Sequence, residues 1–462
     1  MSIKSGILYI IGCIPPQIRR HFVNHETYDD MYRFCLNSRN WSIQQIREWQ
    51  LIQLQATVEF AYYHTDGYHQ LYDEAGVKPS DLRELQDIRL FPCVEKSLLR
   101  NNVNAFTADK GEQGRLHKIT TGGSTGLPFE FYLTTYNSSI ESAFISSSWS
   151  SIGWRGKDIG IKIRGAHVGS PEHLLVKTGY HRYAISSNYL TEDNYEDYMR
   201  LIEGTNATFL HVYPSSITEL AHLMIAHGDE GRLKINHIFL GSENLYDWQR
   251  EIISKAFPKA KLFSFYGLSE HTVFADWCEG DAKYHINPFY GYTELLDGDQ
   301  PVAQGEVGEI VGTSFWNKGT MFIRYRSNDF AKLGPVGCEC CGRNFQMLES
   351  IDGRLAEFIV GKTGRRISLT VFAGSIMHGE NFTHVKQFRF IQFAEGELVL
   401  AVVPTQDYSE QDKRRLEASV NDFLGNDFVC EIKEVEELPI TKRGKFSYLE
   451  QHLKVDRSDI NI

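Results

Sequence analysis

At 462 residues, 42% hydrophobic and 23% charged, the chain has an ordinary globular composition, with length for two to three domains and a large core. Its formal net charge is −11 and no long basic run stands out, so nucleic-acid binding has no electrostatic footprint. Eight cysteines, mostly scattered, exclude a secreted disulfide framework and make a reducing cytoplasm the expected setting.

The first apolar run, Ile7 to Ile11, ends near Pro15-Pro16 and is too short to span a membrane. No clean signal-peptide cleavage site follows, so it reads as a packing helix, with a membrane-surface contact as the alternative. Residues up to about Lys110 read as mostly helical. Trp41 to Tyr63 has apolar residues at helical spacing, with Ser42 as N-cap. Asp73 to Pro79 is a helix stop and turn, and Ser80 caps another short helix.

Two strands, Leu116 to Ile119 and Phe129 to Leu133, flank Thr120-Thr121-Gly122-Gly123-Ser124-Thr125-Gly126-Leu127-Pro128. A Gly/Ser/Thr run cannot build a core. It offers backbone N–H groups and hydroxyls with little bulk, as an anion-cradling loop needs; a flexible surface loop is the alternative. A Walker-type loop would open a helix and end in Gly-Lys-Ser/Thr, and neither feature is present.

A strand-then-helix rhythm follows. Strands are expected at Ile159 to Ile163, Thr208 to Tyr213, Asn236 to Leu240 and Lys261 to Phe265. Ser216 and Glu219 form a capping-box pattern, and Trp248 to Phe257 reads as a second helix. The alternation predicts a largely parallel sheet covered by helices, with ligands beyond the carboxyl ends of its strands. The loops there are Pro214-Ser215, Gly241-Ser242-Glu243 and Tyr266-Gly267-Leu268-Ser269-Glu270. Glu243 and Glu270 are placed for a metal–phosphate complex; carboxylates stabilising helix N-termini are the plainer reading.

From Tyr292 on, strands dominate, including Glu306 to Val311 and Met321 to Arg326, the latter followed by Ser327-Asn328-Asp329. After Gly353-Arg354 a smaller α/β unit begins. It has strands near Phe388 to Phe393, Glu397 to Val403 and Val429 to Lys433, and a charged helix from about Glu410 to Phe423. A cationic loop at Leu438 to Phe446 closes it. The expected fold is α/β: a large domain, 1–353, with a helical start (1–110) and mostly parallel sheets, and a small mobile C-terminal α/β domain, 354–462.

The order of five motifs resembles the adenylate-forming enzymes. They are the loop at Thr120 to Pro128, Tyr266-Gly-Leu-Ser-Glu270, Tyr325-Arg-Ser-Asn-Asp329, Gly353-Arg354, and Pro439-Ile-Thr-Lys-Arg-Gly444-Lys445. Tyr72-Asp-Glu-Ala-Gly-Val-Lys-Pro, Phe91-Pro92 with Lys96, and Cys341-Gly-Arg343 make the chain similar to the phenylacetate–CoA ligase branch, especially its CapK-like members. The resemblance implies that a carboxylate attacks ATP–Mg²⁺ to give an acyl-adenylate and pyrophosphate, and that CoA or an amine then displaces AMP. It implies a small-molecule carboxylate as substrate, no membrane span and no nucleic acid, with a homodimer left open.

Thr121, Gly122, Gly123, Ser124, Thr125 and Gly126 would hold the β- and γ-phosphates. Tyr266 would stack on adenine, within a nucleotide site that also takes in Ser242, Glu243, Gly267 and Ser269. Glu270 would bind Mg²⁺, Asp329 both ribose hydroxyls, and Arg354 would lie near the ribose or hinge. Lys445 would neutralise charge on the α-phosphate during attack. The resemblance favours acid activation for capsule or surface polysaccharide assembly; a catabolic arylacetate–CoA ligase is the alternative. Asn328 stands where relatives carry Gly, and Asn tolerates the left-handed backbone that such a turn needs. Glu357 stands where a hinge aspartate is common. These departures and the apolar N-terminal run motivate a third reading, a degenerate nucleotide-binding scaffold. Finally, Cys338-x-x-Cys341 with Cys278 and His285 matches a structural zinc set, with Cys340 as a substitute ligand; reduced thiols are the alternative.

Overall fold

Local chemistry sets the first long helix. In the computed structural model Ser42 caps Ile43–His64, its hydroxyl accepting from the Gln45 amide while the Gln45 side chain returns to the Ser42 N–H. The structure describes residues 25–108, 116–121, 129–164, 169–170, 173–354, 357–369, 372, 376, 382, 384–439 and 446–453. The apolar run at 7–11 lies outside them. Among the described residues no helix is long and apolar enough to cross a membrane. They divide into two compact units, one from 157–264 and 351–453, the other from 25–156 and 265–350.

The first unit contains the parallel sheet. Gly160–Arg164 lies between Arg182–Ser186 and Phe209–Val212, followed by His237–Leu240 and the first four residues of Lys261–Gly267. Among the described strands of this sheet within the unit, only the edge strand Leu175–Gly179 runs antiparallel. Alternate residues Ile161, Ile163, Leu210, Val212, Ile238 and Leu240 are buried in one core with the helices Tyr195–Gly204, Pro214–Ala226 and Asp247–Ala256.

The same unit holds a four-stranded sheet ordered Val429–Glu434, Glu397–Pro404, Val385–Ala394, Leu449–Gln451. The helix Glu410–Leu424, capped by Ser409, makes the crossover between the parallel strands Glu397–Pro404 and Val429–Glu434. Its core takes in Tyr246 and Trp248, from the start of the helix Asp247–Ala256. The Trp248 ring meets Tyr448 edge-on at 5.6 Å, and Gln249 Nε2 donates to the Tyr448 hydroxyl at 3.2 Å.

The second unit has the helical start and antiparallel strands. Leu116–Thr121 and Phe129–Thr134 pair in register as a hairpin, from Leu116 opposite Thr134 to Thr121 opposite Phe129. Gly291–Asp297, Val307–Ser314 and Tyr325–Val336 form an antiparallel ladder. An aromatic core of Tyr68, Tyr72, Phe91, Phe129, Phe131, Phe322 and Tyr325 lies beneath the hairpin.

The α/β class is the expected one, but among the described residues parallel strands are confined to the first unit. Short connections after Tyr292 allow only antiparallel neighbours. Three expected element starts move. Ser80 sits inside a short turn, Pro79–Asp81, rather than capping it. The helix expected at Ser216 begins at Pro214, because proline's fixed φ and missing N–H suit the first helical position. The strand expected from Met321 begins at Tyr325, because Arg324 takes φ +47°. That turn buries the Arg324 guanidinium against Glu294 at 2.9 Å.

Replacing Trp248 by Ala should cost about 3–5 kcal/mol, the usual loss for a buried tryptophan. Guanidinium unfolding followed by circular dichroism checks this, and an unchanged midpoint would show that the ring anchors nothing.

Candidate active site and metal centre

The strand Tyr325–Val336 carries the main site residues of the second unit. Arg326 pairs with Val311 and Phe330 with Glu309, so Ser327, Asn328 and Asp329 together face the single residue Ile310. Asn328 takes φ +62°, the left-handed conformation foreseen for it. Glu309, 2% exposed, braces this bulge: one oxygen accepts from the Asn328 N–H at 3.0 Å, the other from Arg326 Nη1 at 2.6 Å. Arg326 also reaches Asp299 at 2.6 Å. The Ser327 hydroxyl accepts from the Asp329 amide at 3.0 Å. The outcome is a buried Asp329 carboxylate whose Oδ2 accepts the Tyr266 hydroxyl at 2.7 Å.

A second carboxylate lies in the same unit. Glu270 is 4% exposed, in the turn after Gly267 and Ser269. Its Oε1 accepts from the Tyr325 hydroxyl at 2.9 Å and from Lys96 Nζ at 3.4 Å. Lys96 in turn stands 5.4 Å from the centroid of Phe129, the residue that opens the outgoing strand of the hairpin. Tyr266, Glu270 and Asp329 are therefore tied to one strand, and Lys96 links Glu270 to the base of the Gly/Ser/Thr loop. Residues 122–126 and Lys445 lie outside the described residues, as does the Thr121 side chain; the Thr121 backbone ends its strand.

The other residues expected at the nucleotide site belong to the first unit. Ser242 takes φ +68°. Glu243 accepts from the Ser215 amide at 3.0 Å and hydroxyl at 3.1 Å, in the first turn of the helix Pro214–Ala226. That is the helix-terminus arrangement. Arg354 is exposed, and its amide points at Glu357 Oε2 at 3.4 Å. Glu357 also accepts from Asn244 Nδ2 at 2.8 Å. Gly353, at φ +91°, leaves the space for this: a Cβ would stand 2.1 Å from Glu357 Oε2.

The thiol set converges. Cys278 follows the strand Phe274–Trp277, and His285 sits on the neighbouring antiparallel strand. Cys338 and Cys341 occupy a knuckle closed by the Gly342 amide on the Cys338 carbonyl at 2.8 Å. The donor atoms of Cys278, His285, Cys338 and Cys341 all lie within 4.8 Å of one another. The Cys278 and Cys338 sulfurs are 3.6 Å apart, and Cys341 Sγ is 3.3 Å from His285 Nε2. Tetrahedral zinc with bonds of about 2.3 Å needs sulfurs about 3.8 Å apart, so the donor set fits. Burial pushes the Cys278 and Cys341 thiols up and the His285 imidazole down, which keeps the imidazole neutral, the form that ligates. Cys340 is exposed and outside the set.

Sequence reading missed the brace of Glu309, Arg326 and Asp299, the contacts of Tyr325 and Lys96 with Glu270, and the pair Asn244–Glu357. Lys96 and Tyr325 stood inside quoted motifs. No local pattern marks Glu309 or Asn244, whose partners are distant in the chain.

Residues 359–452 match the family model of the CapK C-terminal domain. The phenylacetate–coenzyme A ligase of Escherichia coli (strain K12) is 26% identical over 334 residues, 69% of this chain and 73% of the relative. Protein CapK of Staphylococcus aureus is 23% identical over 388 residues, 80% of this chain and 81% of the relative. The crystal structure of 2-hydroxyisobutyryl-CoA ligase in the postadenylation state, with an acyl-AMP, superposes with a TM-score of 0.72 at 18% identity, covering 89% of this chain and 91% of that one. The chain thus has the fold of the adenylate-forming CoA ligases, and its relatives over most of its length are the phenylacetate–CoA ligases and CapK.

Proposed function

We propose that the chain is an ATP-dependent, AMP-forming carboxylate ligase that passes the activated acyl group to CoA or an amine in the cytoplasm. In this reading the acceptor step serves capsule or surface polysaccharide assembly. The observation that carries the proposal is the paired arrangement of Tyr266 with Asp329, and of Lys96 and Tyr325 with Glu270.

Asp329 is held by the bulge with its carboxylate oxygens set for two ribose hydroxyls, and Tyr266 gives adenine a ring face. The hydroxyls and amides of 121–126 grip the β- and γ-phosphates, then release them as pyrophosphate. Lys445 neutralises charge on the α-phosphate as the carboxylate oxygen attacks. Glu270 would hold Mg²⁺, which supplies positive charge to the phosphates when bound. Lys96, anchored on the same carboxylate, keeps that group aimed. Gly267 and Ser269 shape the turn that presents Glu270. Ser242 and Glu243 belong to the nucleotide site through the strand end they occupy, and Arg354 marks the junction between a domain of 1–353 and a mobile lid of 354–462. Cys278, His285, Cys338 and Cys341 would hold a structural zinc that ties the segment after Glu270 to the one after Asp329.

Pyrophosphate release with a panel of aryl, acyl and uronic acids tests the ligase reading; calorimetric ATP binding without any release would favour a nucleotide-binding scaffold. Substituting CoA for amino compounds as acceptor separates the two chemistries. Lys445→Ala should lower adenylation by about a hundredfold or more while ATP still binds by calorimetry; normal adenylation by that variant would remove Lys445 from the mechanism. Tyr266→Phe deletes one hydrogen bond to Asp329 and should weaken ATP about three- to tenfold; unaltered affinity would show that the bond does not position Asp329.

Protein purified without chelator should carry about one equivalent of zinc, lost in Cys278→Ser and kept in Cys340→Ser. Less than about a tenth of an equivalent in the parent protein rules the site out.

A further inference from the structure

The other face of the parallel sheet in the first unit buries Phe209, Phe239 and Phe263, but at the ends of two of its strands the lining turns cationic. Ile161 and Ile163 point to the buried side, so Gly160, Lys162 and Arg164 point to the other. On the adjacent strand Leu210 and Val212 face the core, and Phe209 and His211 face the same way as the two cations. The register sets Lys162 directly opposite His211. Arg164 Nη2 lies 3.4 Å from His211 Nε2, and its guanidinium stands 5.1 Å from the centroid of the Tyr213 ring.

The charge on this face is unbalanced. Among the described residues, no carboxylate lies within ion-pair distance of Lys162 or Arg164. Arg164 Nε is shut off from solvent and, among the described residues, has no hydrogen-bond acceptor. A buried guanidinium nitrogen without an acceptor is costly. Partial burial, then Arg164, then Arg182 hold the ammonium of Lys162, whose side chain still reaches solvent, below its usual range. Burial, then Arg164, then Lys162 push the His211 imidazole well down, so it stays neutral and adds no charge of its own.

Arg164 ends its strand, and Tyr213 leads into the helix whose first turn holds the Ser215–Glu243 contacts. Both lie at the carboxyl edge of a parallel sheet, where such sheets bind ligands. An aromatic ring beside two cations offers an apolar seat with an anion clamp at its end.

We propose that Lys162 and Arg164 form an anion subsite for a second acidic group on the carboxylic acid substrate. The acid would be a dicarboxylate or a phosphorylated acid, one acidic group being activated while the other is gripped at this face. This rests on the ligase reading for the identity of the ligand, but the binding it predicts needs no turnover.

The test is calorimetry on the full chain with matched pairs: adipate against hexanoate, homophthalate against phenylacetate, and phosphorylated galacturonate against galacturonate. At least one dianion should bind about tenfold more tightly than its partner, the worth of one charge-assisted contact. Arg164→Gln and Lys162→Gln should erase that preference without changing the affinity of the monoanion. Arg164→Lys should keep part of it, and circular dichroism melts report whether each variant folds. The proposal is overturned if no pair shows a preference in the parent protein, or if the variants weaken both members equally. It is also overturned if they weaken CoA alone, which would assign the subsite to a CoA phosphate. Absence of pyrophosphate release with a persisting dianion preference would defeat the ligase reading and leave the subsite standing.

Discussion

A β-bulge leaves backbone groups without ladder partners, and a buried one must find them elsewhere. Here one carboxylate meets the need. Glu309 takes the Asn328 amide on one oxygen and the Arg326 guanidinium on the other. Because both contacts are charge-assisted and nearly dry, the three residues opposite Ile310 have little freedom. Everything proposed for nucleotide recognition depends on this, since Asp329 is the last of those three and Tyr266 hangs from its carboxylate. Losing one partner of a buried pair typically costs about 3–5 kcal/mol, because the other charge stays behind. The brace is therefore a point of fragility as well as of order.

The same unit repeats this logic away from the bulge. Arg324 is buried against Glu294, and Arg343 against Glu279 beside His285. Each arginine also comes from a residue next to a tight turn. Buried pairs of this kind add little net stability compared with apolar packing. What they add is a defined position for the backbone on either side. In this chain the positions so defined are the Tyr325–Asp329 strand and the cysteine knuckle.

Much of this was legible in the sequence, for identifiable reasons. Ser42 was recognisable as a cap because capping is a contact within four residues. Asn328 could be expected at positive φ because few other side chains accept it. The thiol set could be gathered from the C-x2-C spacing together with an upstream Cys and His, while their meeting on adjacent antiparallel strands was not legible. Illegible features were those decided by distant partners. Arg324 broke an expected strand for the sake of Glu294. Pro214 outcompeted the capping pattern at Ser216. The strands Leu175–Gly179 and Arg182–Ser186 went unforeseen, lacking the clean apolar alternation of their neighbours. The cations at Lys162 and Arg164 are unremarkable residues in a strand until the register sets them against a neutral histidine.

The core shared by Trp248, Tyr246 and the C-terminal sheet bears on how such chains can diversify. The segment that matches the CapK C-terminal domain, 359–452, does not enclose its own hydrophobic interior. Part of that interior comes from a helix more than a hundred residues earlier in the chain. A recombination that exchanged only the matched segment would present new side chains to an old Trp248. Inheritance of the C-terminal piece is thereby coupled to a short stretch near 246–249, and aromatic identity there should track the origin of the tail rather than that of the surrounding sheet.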